Sequence, residues 1–131
     1  MTSLHHLALT AANLAASAAF YDPFLTELGY HRSGGLESPL VYLGDGPEIL
    51  VYLVEGEDTA RHTHGRPGLQ HLAFQVYDRT IVDRAHSAAG SAGGTIVHAP
   101  SEYPHYAAGY YATFVEDPDG SRIEVLTVPS S

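Results

Sequence analysis

The chain repeats itself, and that repeat constrains the fold more than any other feature of the sequence. The segment His6-Leu7-Ala8-Leu9 returns as His71-Leu72-Ala73-Phe74, and each histidine is followed at the same spacing by a glycine, Gly29 and Gly94, at the end of a helix-like segment. The copies also end alike. Asp45-Gly46-Pro47-Glu48-Ile49-Leu50-Val51 lies against Asp119-Gly120-Ser121-Arg122-Ile123-Glu124-Val125, in each case a turn feeding a β-branched strand. Two copies of one unit are therefore expected within a single domain spanning 1–131: about 1–55, a linker at about 56–68 rich in charge, glycine and histidine, and about 69–131.

Each copy reads as strand, helix, strands. In the first, Leu4 to Thr10 alternates as a strand, Asn13 caps a helix carrying Tyr21, Leu25 and Leu28 on one side, and Gly29 stops it; Pro23 is expected to kink or break that helix. Leu40–Leu43 and Glu48–Val54 follow as strands across Gly44-Asp45-Gly46-Pro47. The second copy gives strand Leu69–Val76, a helix capped by Asp78 with Ile81, Ala85 and Ala88 along one side, and strands Thr95–His98, Tyr110–Val115 and Arg122–Val128. The expected class is α+β, a curved mixed sheet with helices on its outer face.

Composition narrows the chemistry. All six basic residues are arginines and cysteine is absent, so Schiff-base lysine, P-loop lysine, thiolate, disulfide and cysteine-zinc chemistry are excluded. A formal charge of −9 argues against nucleic acid or anionic membrane as a partner. With no apolar run of about 18 residues and no basic-then-apolar leader, the expected compartment is the cytoplasm.

Strand parity sorts the nine histidines. His5 and His6 should point to opposite faces, His6 joining Ala8 and Thr10; His71 joins Ala73 and Gln75 in the same way. On the last strand Glu124 stands opposite the apolar Ile123 and Val125, where a carboxylate needs an arginine, a hydrogen-bond network or a metal. If the strands share one concave surface, His6, His71 and Glu124 converge as a two-histidine, one-carboxylate set suited to Fe, Mn, Ni or Zn. Otherwise each histidine bonds within the sheet and Glu124 pairs with Arg122 or Arg32. His62 and His64 read as solvated linker residues, and His31 and His86 as helix-end and helix-surface residues.

The stretch Glu102 to Tyr111 gathers four tyrosines and one histidine before a cup strand, suiting a substrate wall. Tyr106 and Tyr111 are its expected contributors, with His105 or Tyr111 as proton donor or acceptor. Tyr110 and, from the last strand of the first half, Leu50 and Tyr52 are the further expected substrate contacts.

His6-Leu-Ala-Leu, Phe20-Tyr21…Leu28-Gly29, Gly68-Leu-Gln-His71-Leu-Ala-Phe and above all Phe114-Val-Glu-Asp-Pro-Asp-Gly-Ser-Arg-Ile-Glu124 resemble the glyoxalase/bleomycin-resistance/dioxygenase family, the vicinal oxygen chelate superfamily. The resemblance covers nearly the whole chain. It implies two βαβββ modules forming a cup around a divalent metal held by His6, His71 and Glu124, and a homodimer that acts on a small molecule. Glyoxalase I enzymes, which the chain also resembles, carry a fourth ligand where the repeat places Leu50, with Glu48 two residues away. Four-ligand isomerase chemistry is thereby disfavoured, leaving lyase, isomerase or extradiol-type dioxygenase chemistry open at a three-ligand site. The competing expectation is a metal-free binding protein of the bleomycin-resistance type.

Overall fold

In the computed structural model, which describes residues 1–129, each half of the chain runs strand, helix and three strands. The first half is β1 (His6–Ala11), α1 (Leu14–Glu27), β2 (His31–Ser33), β3 (Leu40–Leu43) and β4 (Glu48–Leu53). The second is β5 (Leu72–Gln75), α2 (Arg79–Ser91), β6 (Thr95–Glu102), β7 (Tyr111–Glu116) and β8 (Arg122–Thr127). The strands form two four-stranded mixed sheets in equivalent orders, β1-β4-β3-β2 and β5-β8-β7-β6, so the fold is α+β. Within each sheet the first and last strands pair in parallel, which requires a crossover, and the helix supplies it.

Local chemistry explains the elements. The Asn13 side chain accepts from the Ala16 amide and that of Asp78 from the Thr80 amide, satisfying donors that each helix N-terminus leaves free. Helix α1 runs through Pro23 without a break in its assignment. The second helix buries Val82, Ala85 and Ala89, a stripe one residue removed from the expected Ile81 and Ala88. Its positive-φ stop is Gly93, which matches Gly29 at the end of α1, so the repeat slips by one residue there. Gly94 is required for a different reason: a Cβ on it would lie 2.5 Å from the Phe20 ring of α1, where the two helices pack.

That helix contact joins the halves. Phe20, Phe24 and Leu25 of α1, Val82 and Ala85 of α2, and Ile49, Val51, Val115, Ile123 and Val125 of the sheets form one buried cluster. Each such aliphatic or aromatic side chain contributes about 1.5–3 kcal/mol by leaving water. Both sheets therefore turn one face towards the helices and the other away from them. Several strand boundaries also differ from expectation, and β5 begins at Leu72 rather than Leu69, so His71 precedes it. His31, expected at a helix end, opens β2; β6 extends to Glu102 through register shifts that accommodate Pro100 on an edge strand; and β1 begins at His6, leaving His5 outside the alternation.

The Asp117-Pro118-Asp119-Gly120 turn ties the halves together a second time. The buried Asp117 carboxylate accepts the Tyr21 hydroxyl at 2.6 Å and the amides of Asp119 and Ser121 at 2.9 Å, while Asp119 accepts the Ala12 amide beyond β1. Arg61 of the linker donates to the Pro118 carbonyl and to Glu116. Burial raises the Asp117 carboxyl above its usual pKa even though these hydrogen bonds oppose the shift. Tyr21→Phe removes the phenol donor to a buried carboxylate and should cost about 1–3 kcal/mol in urea unfolding at neutral pH. Because the bond favours the ionised form, that loss should shrink as pH falls through the raised Asp117 pKa; a loss independent of pH would contradict the assignment.

Candidate metal centre

The faces turned away from the helices are open to solvent. On β1, His6, Ala8 and Thr10 are exposed while Leu7 and Leu9 are half-buried against the core; on β5, Ala73 and Gln75 are exposed and Leu72 and Phe74 half-buried. Cross-strand register extends the open face of the second half. Ala73 lies beside Glu124, Glu124 beside Phe114, and Phe114 beside His98, one residue from each of β5, β8, β7 and β6.

Glu124 is the centre of this row. It is 4% exposed, and its two oxygens have separate partners: Oε1 lies 3.1 Å from His71 Nε2, and Oε2 accepts the Tyr110 hydroxyl. On the other side of the imidazole, His71 Nδ1 faces Gln70 Oε1. A His71 ring that carries its proton on Nδ1 donates to this amide oxygen and turns its Nε2 lone pair towards Glu124 Oε1. In that tautomer the 3.1 Å contact brings two metal-donor atoms together, whereas in the other Nε2–H donates to the carboxylate directly. Two donor atoms bound to one ion at about 2.1 Å and a right angle lie about 3.0 Å apart, which fits this pair. The arginines considered as partners for Glu124 are engaged elsewhere: Arg122 with Glu116 at 2.9 Å and Arg32 with Asp22 at 3.0 Å.

An aromatic wall stands beside the carboxylate. Phe114 is flanked by His71, His98 and Tyr103, with ring centroids 6.1, 5.7 and 5.7 Å away. Tyr103 stacks on Tyr106 at 5.5 Å, Tyr106 meets Tyr110 edge-on at 5.2 Å, and His105 lies 4.2 Å from Tyr106. The β6–β7 loop holds these rings through Tyr103 N–H to Tyr110 O at 2.8 Å and Tyr106 N–H to Tyr103 O at 3.0 Å. Burial first, and then the Glu124 carboxylate, push the Tyr110 phenol well above its ordinary pKa, so it remains a donor.

The expected site residues thus fall into three groups. Glu124, His71, Tyr110, Tyr106 and His105 come together on the second sheet. His6, Leu50 and Tyr52 lie on the open face of the first sheet; His6 Nδ1 is 2.9 Å from His5 Nδ1, a contact possible because His5 precedes the strand. Among the described residues no three histidine or carboxylate side chains of one chain converge to hold a metal ion, so His6 does not join His71 and Glu124 within the chain. Register also pairs Ala8 with Leu50 as it pairs Ala73 with Glu124, placing leucine where the second half has its carboxylate; Glu48 pairs with His6, one row away.

Tyr111 stands apart from the site. Its hydroxyl donates to Asp83 of α2 at 2.6 Å and the Arg79 guanidinium covers its ring at 4.5 Å, so it packs on the helix side of the sheet. Residues that parity reasoning passed over include Phe114, in register with Glu124, His98, in register with Phe114, Tyr103, whose ring packs on Phe114, and Gln70, which follows from adjacency to His71. Tyr111→Phe should cost about 0.5–1.5 kcal/mol of stability in denaturant unfolding and leave metal affinity unchanged. A loss of metal affinity without a loss of stability would return Tyr111 to the site.

Comparison with known proteins agrees with the fold. The model of the Glyoxalase/Bleomycin resistance protein/Dioxygenase superfamily matches residues 3–125. The uncharacterised protein YqjT of Bacillus subtilis is 30% identical over 128 residues, covering 97% of this chain and 99% of that one. The uncharacterised protein PA2024 of Pseudomonas aeruginosa is 32% identical over 126 residues, covering 93% and 86%. The crystal structure of a glyoxalase/bleomycin resistance protein from Albidiferax ferrireducens superposes with a TM-score of 0.79 at 25% identity, covering 95% of this chain and 98% of that one. With the matching model spanning almost the whole chain, the protein belongs to the Glyoxalase/Bleomycin resistance protein/Dioxygenase superfamily.

Proposed function

We propose that the protein is a metal-dependent enzyme that binds a small organic molecule through two neighbouring oxygens, in a cup that two copies of the chain build together. The observation that carries this reading is the His71 Nε2 and Glu124 Oε1 pair, two atoms able to serve as metal donors, 3.1 Å apart, with Gln70 and Tyr110 against their outer polar atoms. His6 on the open face of a second copy supplies the third donor, giving the two-histidine, one-carboxylate set that suits Fe, Mn, Ni or Zn.

Several features support a second copy as the occupant of the open faces. β1 and β5 are outer strands of their sheets, and the faces that carry His6 and Ala73 are exposed. Tyr52, Leu53, Leu69 and Tyr106 are large apolar residues left 42–58% exposed. One face carries His6 and has Leu50 at the register position that Glu124 holds on the other, which has Glu124 and His71, so a twofold dimer forms two complete sites from complementary halves.

A bound ion would polarise adjacent substrate oxygens and stabilise developing enolate charge, or activate dioxygen beside the substrate. The chain's own residues do the remainder. Phe114, Tyr103 and Tyr106 present ring faces to the substrate, Leu50 and Tyr52 of the second copy close the opposite wall, and His105 and His98 stand at the wall as groups able to exchange a proton. Leucine at position 50 restricts the site to three protein ligands, which favours lyase or dioxygenase chemistry over a four-ligand isomerase.

Metal analysis of tag-free protein after exposure to Fe, Mn, Ni and Zn tests the reading. Wild type should retain one of these ions, and His71→Ala and Glu124→Ala should each weaken retention by more than about 100-fold. Equally negligible metal in all three proteins would replace the enzyme with a metal-free ligand-sequestering cup. Leu50→Glu should tighten retention by adding the fourth donor; unchanged or weaker retention would place Leu50 outside the coordination sphere.

A further inference from the structure

Each of the two donors on the second sheet has its other polar atom held by a residue with no expected part in coordination. Gln70 Oε1 lies against His71 Nδ1 and, by accepting from it, would fix the ring rotation and leave Nε2 as the donor atom for a metal. Tyr110 donates to Glu124 Oε2, which leaves Oε1 directed at Nε2. The tyrosine is itself clamped: its ring is wedged against Tyr106 and Tyr103, its carbonyl accepts the Tyr103 amide, and Gly109 before it, at φ +75°, lies so close to Pro129 that a Cβ would come within 2.5 Å of that ring. The phenol oxygen therefore has little freedom to leave the carboxylate.

We propose that Gln70 and Tyr110 are positioning residues that set one imidazole nitrogen and one carboxylate oxygen as a preformed pair of metal donors within a single chain. The inference rests on the metal-dependent reading above and deepens it. Tyr110, expected from the sequence to contact substrate, acts instead through Glu124: it keeps the carboxylate single-oxygen towards the ion. Gln70 holds the ring orientation from its other side through the Nδ1 contact. Neither residue coordinates.

Co(II) is the probe, because its visible absorption reports coordination geometry and its titration gives affinity without any substrate. Tyr110→Phe and Gln70→Leu should each weaken Co(II) binding by about tenfold or more and alter the absorption bands, whereas Gln70→Glu, which keeps an acceptor on Nδ1, should bind within about threefold of wild type. Gln70 is exposed, so its variants should unfold at the wild-type midpoint, separating positioning from loss of structure. If wild type binds Co(II) and both Tyr110→Phe and Gln70→Leu match it in affinity and spectrum, the positioning roles are overturned while the metal centre stands. If wild type binds no Co(II), the metal reading falls and takes this inference with it.

Discussion

A carboxylate that is almost wholly removed from water must be answered by positive charge or by donors, and Glu124 is answered by one phenol and one imidazole. The chain has no lysine, and the two arginines near enough in sequence or fold to be considered are spent on Glu116 and Asp22. The phenol satisfies one oxygen. The other oxygen lies 3.1 Å from His71 Nε2, and this contact organises what surrounds it: the aromatic wall that shields it, the Gln70 amide against the far side of the imidazole, and the open sheet face.

The repeat produces that open face. Two copies of one unit pack helix against helix, with Phe20 seated over Gly94, so the helices share a core and both concave faces are left open on one chain. Parallel pairing of the first and last strands then places residues of the two copies at equivalent points, Ala8 beside Leu50 and Ala73 beside Glu124. The copies have diverged in chemistry while keeping their geometry. One half keeps a histidine and an apolar wall; the other keeps a histidine, a carboxylate and the aromatic loop.

Much of this was legible in the sequence because it is periodic or local. The His-Leu-Ala repeat marked both edge strands, Asn13 and Asp78 marked both helix starts, and strand parity put His71 and Glu124 on one face. What parity cannot convey is which sheet faces which. It grouped His6 with His71 by analogy between copies, although the two lie on different sheets whose open faces do not meet within one chain. The tyrosine-rich composition that pointed to Tyr111 does not distinguish faces: Tyr110 reaches Glu124, and Tyr111 bonds Asp83 beneath Arg79. The contact between Tyr110 and Glu124 depends on how the β6–β7 loop folds back through its own amides, information carried by tertiary geometry rather than by spacing.

The central claim is that a complete site takes His6 from one chain and His71 with Glu124 from another, and a mixed dimer measures it directly. Chains carrying His6→Ala and chains carrying Glu124→Ala, each with a different removable affinity tag, are co-expressed, isolated as heterodimers, freed of tags and titrated with metal. Each homodimer of a variant should lack high-affinity binding, whereas the heterodimer should recover about one intact site of the two. A heterodimer that binds no better than either homodimer, or a His6→Ala homodimer with wild-type affinity, would contradict the shared site.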